Sequence, residues 1–171
     1  MNTEFNANGE KQAFSASSTT LPTDFIQNLV DNYRNNQLGF INENLGKEDA
    51  HSIWFDLPSL KKFIAEIEHE AQRVDPSATD KDLGIRLYYG AYPDAPAAPT
   101  PEDYAKRHTL VMIPTKKMDD GSGALLDFDF NPFDSASKVN SLAATASISK
   151  NSLGQNHGSL IPPNNSIVES F

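Results

Sequence analysis

Between Ser52 and Thr115 the apolar residues change their period once, and that change limits the folds open to the chain. Leu60, Phe63, Ile64, Ile67, Ala71 and Val74 recur at spacings of three and four, which lines them along one stripe of a helix with about 3.6 residues per turn. Lys61, Lys62, Glu66, Glu68, Glu70 and Arg73 occupy the remaining arc. Asp56 and Pro58 suit the start of this helix and Asp75-Pro76 its end, because a residue before proline is pushed out of the helical region. From Ile85 the period falls to two. Ile85, Leu87, Tyr89 and Ala91 alternate with Arg86, Tyr88, Gly90 and Tyr92, as in a strand with two unlike faces. Leu110-Val111-Met112-Ile113 is apolar on both faces and marks a central strand, which Pro114 either ends or bulges. The expected core sets Phe63, Ile64 and Ile67 against Leu87 and Tyr89.

The flanking regions extend this plan. After the turn-forming MDDGSG run, Leu126, Phe128 and Phe130 alternate with Asp127 and Asp129, predicting a third strand with a wet face. A helix is expected from Pro22, with Phe25, Ile26, Leu29, Val30 and Tyr33 on its apolar side and Gly39 near its end. Gly39 to Asp49 reads as a loop. Ile53-Trp54-Phe55 reads as a short strand or extended lead-in, with Trp54 expected in the core. The Pro-rich connection from Pro93 to Arg107 carries a helical turn around PEDYAKR, where Thr100 and Asp103 have capping-box spacing. The fold class is α+β: a single domain with an antiparallel sheet of three to five strands and helices mainly on one face. Its expected boundaries are a tail over 1–20, the domain over 21–134, and an extension over 135–171 partly docked on the domain. A strand apolar on both faces demands cover on both: the main helix on one, and on the other the first helix, the tails or a second subunit.

Charge narrows the partners. A formal net charge of −9 and a pI near 4.8 disfavour nucleic acid, which needs clustered cations to displace counterions. They disfavour an anionic membrane surface for the same reason. The absence of cysteine removes disulfides and thiolate metal sites. The start, MNTEFNANGEKQAF, lacks the basic and apolar regions of a secretory signal, so a cytoplasmic location is expected, with no cofactor. A second copy or another protein is the expected kind of partner.

Four clusters carry candidate chemistry. Glu66 and His69 share a helix face, but Arg73 stands where a second His of HExxH would fall, and a solvated face accounts for them. Asp127, Asp129, Asn131 and Asp134 resemble the opening of a calcium loop, yet Pro132 and Lys138 stand where it needs glycine and glutamate. Asp119-Asp120-Gly121-Ser122-Gly123 is a turn whose acids would repel phosphate. No catalytic residue and no metal ligand set emerges from the four histidines, and no GxSxG elbow is present. The candidate ligand-binding residues are Arg86, Tyr88 and Tyr92, which alternate onto one strand face, and His108, where the Pro93–Arg107 loop returns. Arginine offers a planar fork and tyrosine a stacking surface with a hydroxyl.

SIWFDLPSLKKFI, GIRLYYGAYP, HTLVMIPT and NHGSLIPP together resemble a family of short uncharacterised bacterial proteins, over roughly Ser52 to Pro163. The resemblance implies a shared order of motifs and brings no activity, cofactor or catalytic residue. The expected role is a noncatalytic binding or interaction module. The alternatives are a small enzyme using His108, Arg86 and a carboxylate beneath the Pro93–Arg107 loop, or a structural subunit that engages partners through its tails.

Overall fold

The structure, a computed structural model, describes residues 3–5, 11–13, 20–133, 151–164 and 169–170. The chain divides into two compact units, residues 1–46 with 168–171 and residues 47–167. Both α-helices and antiparallel sheets are present, so the chain is α+β. No described helix is long and apolar enough to cross a membrane.

In the first unit, β1 (Thr3–Phe5) and β2 (Lys11–Ala13) form an antiparallel ladder with Glu4 opposite Gln12. A helical rod follows: α1 (Thr23–Asn32), a π-helical turn (Tyr33–Leu38) and α2 (Gly39–Leu45). The expected stop at Gly39 is wrong. Gly39 keeps helical dihedrals, and the end falls at Gly46, whose φ of 66° provides the left-handed cap and whose N–H reaches Asn42 O at 2.9 Å. Both glycines qualify as helix ends by residue type, and only the second adopts the conformation that favours glycine. The segment expected as a loop is therefore helical up to Leu45.

The second unit is organised by α3 (Leu57–Val74). The Asp56 carboxylate accepts from Ser59 N at 2.8 Å, Pro58 lies in the first turn, and Asp75 leaves in extended conformation before Pro76. Phe63, Ile67 and Ala71 are buried, as the stripe requires. They pack on a three-stranded antiparallel sheet ordered β4 (Leu83–Ala91), β5 (His108–Asp119), β6 (Leu125–Asp129). One core cluster joins Phe63 and Ile67 to Met112, with Phe55, Leu60, Leu83 and Leu153 around it. A second joins Ala71, Ala78 and Phe130.

Three packing expectations fail. Ile64 is 44 % exposed, and Leu87 and Tyr89 are 52 % and 90 % exposed. The helix sits over β5 and the residues beyond it, so the apolar face of β4 is left half bare. Trp54, expected inside, is also half exposed.

Pro114 does not end β5. It is fully buried and pairs with Ile85, while its carbonyl accepts from Phe130 N at 2.8 Å. It lies between the Met112–Gln155 bridge and the start of the β6 ladder at Thr115, so the one bond its missing N–H forgoes, the return bond to Phe130, falls at the end of that ladder. Residues 151–164 complete this unit. Met112 and Gln155 exchange two backbone hydrogen bonds of 2.8 and 3.0 Å. Farther on, β7 (Ser159–Ile161) pairs antiparallel with β3 (Ser52–Trp54), burying Leu160 completely.

Candidate functional site

The site begins with the direction of peptide groups along β4. Tyr92 N donates to Arg107 O at 3.0 Å, just beyond the β4–β5 ladder. In an antiparallel pair, hydrogen-bonded and non-bonded positions alternate. Gly84, Arg86, Tyr88 and Gly90 therefore turn their peptide groups toward β5. Met112 supports this phase independently, because it sits opposite Leu87 yet bonds to Gln155 on its other side. By the same alternation, Leu83, Ile85, Leu87, Tyr89 and Ala91 present N–H and C=O at the outer edge of β4. No described strand pairs with that edge.

The residues that offer these backbone groups also offer side chains. Ile85, Leu87 and Tyr89 lie on the sheet face that carries α3, and all three are exposed. Beside them a groove of about 290 Å³ is lined by Ile64, Ile67, Leu83, Gly84 and Ile85, with Glu68 and Asp80 as its charged members. Among the described residues the edge has few of the usual guards against strand addition. Its register with β5 is unbroken from Leu83 to Ala91, it contains no proline, and Arg86 is its one charge.

Arg86 and Tyr88 point to the opposite face, where Asp129 of β6 accepts from both the Arg86 Nη1 and the Tyr88 hydroxyl. Arg86 Nη2 donates to Asp127 O at 2.8 Å. The Tyr88 hydroxyl, and then the Asp129 charge, raise the Arg86 pKa above the ordinary arginine value. The guanidinium thus ties β4 to β6 across β5.

Tyr92 and His108 have other partners. The Tyr92 ring lies 5.5 Å from that of Tyr104 at a tilt of 50°, and its hydroxyl donates to Asn156 O at 3.5 Å. The Tyr104 hydroxyl accepts from Leu160 N at 3.1 Å. His108 turns Nδ1 to the Asp49 carboxylate, whose side chain is fully buried. Asp49 also accepts from His108 N at 2.7 Å and Ala50 N at 2.8 Å. The His108 side chain as a whole is 40 % exposed. The four sequence-derived residues therefore do not share one set of partners: Arg86 and Tyr88 meet Asp129, Tyr92 reaches Asn156 and His108 reaches Asp49. Asp49 and Tyr104 escaped sequence reading. The Asp49–His108 pair spans 59 positions, and no local spacing links them.

The acidic clusters have ordinary partners. Glu66 lies 3.7 Å from Lys62, Glu70 pairs with Arg73 at 2.7 Å, and His69 is largely exposed. Asn131 accepts from Phe133 N and donates to Asn151 O, while Asp134 and Lys138 lie outside the described residues. In the 119–123 turn, Asp119 Oδ1 accepts from Gly121 N and Gly123 N. Among the described residues, no group of three or more His, Asp or Glu is gathered as metal ligands. Comparison with family models, curated proteins and solved structures gave no match to this chain.

Proposed function

We propose that this protein is a noncatalytic interaction module whose binding element is the outer edge of β4, and that it works by taking on one further β-strand. The observation that carries this reading is a coincidence along the strand. Ile85, Leu87 and Tyr89 present their backbone groups at the open edge, and the same three residues carry exposed apolar side chains. Strand addition uses both at once, with main-chain hydrogen bonds for affinity and alternate side chains for selectivity. The neighbouring groove extends the apolar surface that an added strand would cover.

The test presents the purified chain with a panel of extended peptides that carry apolar residues at alternate positions, the sequence of β4 among them. Retention is expected on the parent chain, with slowed amide exchange at Ile85, Leu87 and Tyr89. It should vanish on a Leu87→Lys, Tyr89→Lys double variant. Peptides retained equally by both proteins, or by neither, would overturn the reading.

One observation favours an enzymatic alternative. His108 is oriented by a buried carboxylate while its side chain stays partly exposed, an arrangement suited to general acid–base work. Arg86, the other member expected of that site, is engaged by Asp129 instead. Turnover of an activated ester by the parent chain, and its loss in His108→Gln, would decide for that alternative.

A further inference from the structure

We infer that the strand added at β4 is β4 of a second copy, antiparallel and centred on Leu87; this rests on the strand-addition reading above. The first reason is the sequence of the strand. About Leu87 the segment Gly84-Ile85-Arg86-Leu87-Tyr88-Tyr89-Gly90 is nearly palindromic in residue class. Glycines stand three positions out on either side, and large side chains stand two and one out. A twofold interface must be complementary to itself, and this pattern is.

The second reason is hydrogen-bond phase. With Leu87 opposite its own equivalent, the two residues occupy a hydrogen-bonded pair, because Leu87 turns both peptide groups outward. Ile85 then faces Tyr89 of the second copy in the same phase, and Leu83 faces Ala91. A register shifted so that Leu87 faced an inward-turned residue would form none of these bonds.

Charge supplies the third. Each copy carries −9, so most encounters between copies are repulsive. Along Leu83–Ala91 there is no acidic residue, and the single cation, Arg86, is already paired with Asp129. In the centred register Arg86 faces Tyr88, so no like charges meet. Rotation about Leu87 keeps both copies of α3 on one side of the joined sheet. Tyr89 of the second copy, 90 % exposed in the single chain, then lies opposite Ile85, which lines the groove beside α3.

The chain has no native cysteine, so engineered ones report the register without background. Across a hydrogen-bonded antiparallel pair the Cα atoms lie about 5.5 Å apart, within the span of about 4.4–6.8 Å that a disulfide bridges. Under mild oxidation Leu87→Cys should form a covalent dimer with itself. Ile85→Cys and Tyr89→Cys should each stay uncross-linked alone, since identical positions fall about 13 Å apart along the strands, and should cross-link when mixed. Sedimentation over a concentration series should show a reversible dimer for the parent chain and a monomer for Tyr89→Lys, with circular dichroism confirming that the variant folds. A parent chain that stays monomeric at every concentration overturns the self-pairing; peptide retention by that monomer would leave the strand-addition reading intact. A dimer that survives Tyr89→Lys and Leu87→Lys, or that gives no Leu87→Cys cross-link, places the interface elsewhere and also overturns the proposal.

Discussion

Leu87 and Met112 stand opposite each other across β4 and β5 on the same face of the sheet, yet Met112 is 8 % exposed and Leu87 52 %. One strand spacing separates a core position from a bare one. The boundary of the core therefore runs between two paired strands rather than around the sheet. Truncating on either side of that boundary should give very different costs.

Phe63, 4 % exposed and packed with Ile67 and Met112, lies on the filled side. Phe63→Ala should destabilise the chain by about 3–5 kcal/mol. Ile64→Ala, one residue on, removes a half-exposed side chain and should cost under about 1 kcal/mol. Equilibrium urea unfolding of the two variants checks the contrast. Equal losses would mean that the helix is rotated about its axis.

Gly158 is a second sensitive point. A Cβ there would come within 2.5 Å of Ile53 Cγ2 and 2.8 Å of Phe55 Cζ. Both belong to side chains tied into β3 or the core, so neither can swing freely aside. Gly158→Ala should lower stability by about 1–3 kcal/mol through overpacking, read as a drop in melting temperature.

The Asp49 carboxylate holds the Ala50 and His108 amides as well as the His108 ring. Asp49→Ala leaves those donors facing a cavity, at about 1–3 kcal/mol for each that stays buried and unmet. The loss should exceed that of His108→Gln, which keeps Asp49 and both amides. Thermal unfolding of the two variants at one pH gives the comparison.

Acid should act through Asp75. Its carboxylate accepts from Lys116 Nζ at 2.6 Å, and this bond, followed by those from Ser77, holds the Asp75 pKa far below the ordinary carboxylate value. The folded pKa is thus below the unfolded one, near 3.9, so unfolding takes up a proton. The stabilisation is fully present above about pH 4 and is lost as pH falls through the folded value. Asp75→Asn should be less stable than the parent at neutral pH, and the gap should narrow progressively as the pH falls below about 4. Denaturant midpoints across pH 2–7 test this, and a constant gap would refute it.

Much of α3 could be read from sequence because its signals are local: a stripe, an acceptor before the first turn, and proline after the last. The strand pair was legible for the same reason, since alternation survives in any surroundings. Alternation says which side chains share a face and leaves open whether anything covers that face, so Leu87 and Tyr89 were assigned to the core. Trp54 was misplaced on the same logic, because bulk alone does not decide burial. At the candidate site, Arg86 and Tyr88 were found as a pair through their common face. Asp129, which engages both, lies on another strand, where its sequence offers a wet face or the opening of a calcium loop and nothing that points to Arg86. The Asp49–His108 pair depends entirely on the path of the chain between them, which no short-range pattern encodes.

The strand that closes β3 and the residue that bridges the middle of β5 both come from 151–164. That placement has a consequence for timing. A ribosome releases Ser52–Trp54, α3 and the β4–β5 pair long before it releases Gln155 and Leu160. Contacts between segments so distant in sequence form slowly even in a free chain, and during synthesis they cannot form at all until the end. The second unit therefore waits, with Phe63 and Met112 assembled but Ile53 and Phe55 without their final cover, until its last strand arrives. A nascent chain halted before residue 151 should be markedly easier to digest than the finished protein, although almost every element of the sheet and its helix has already been made.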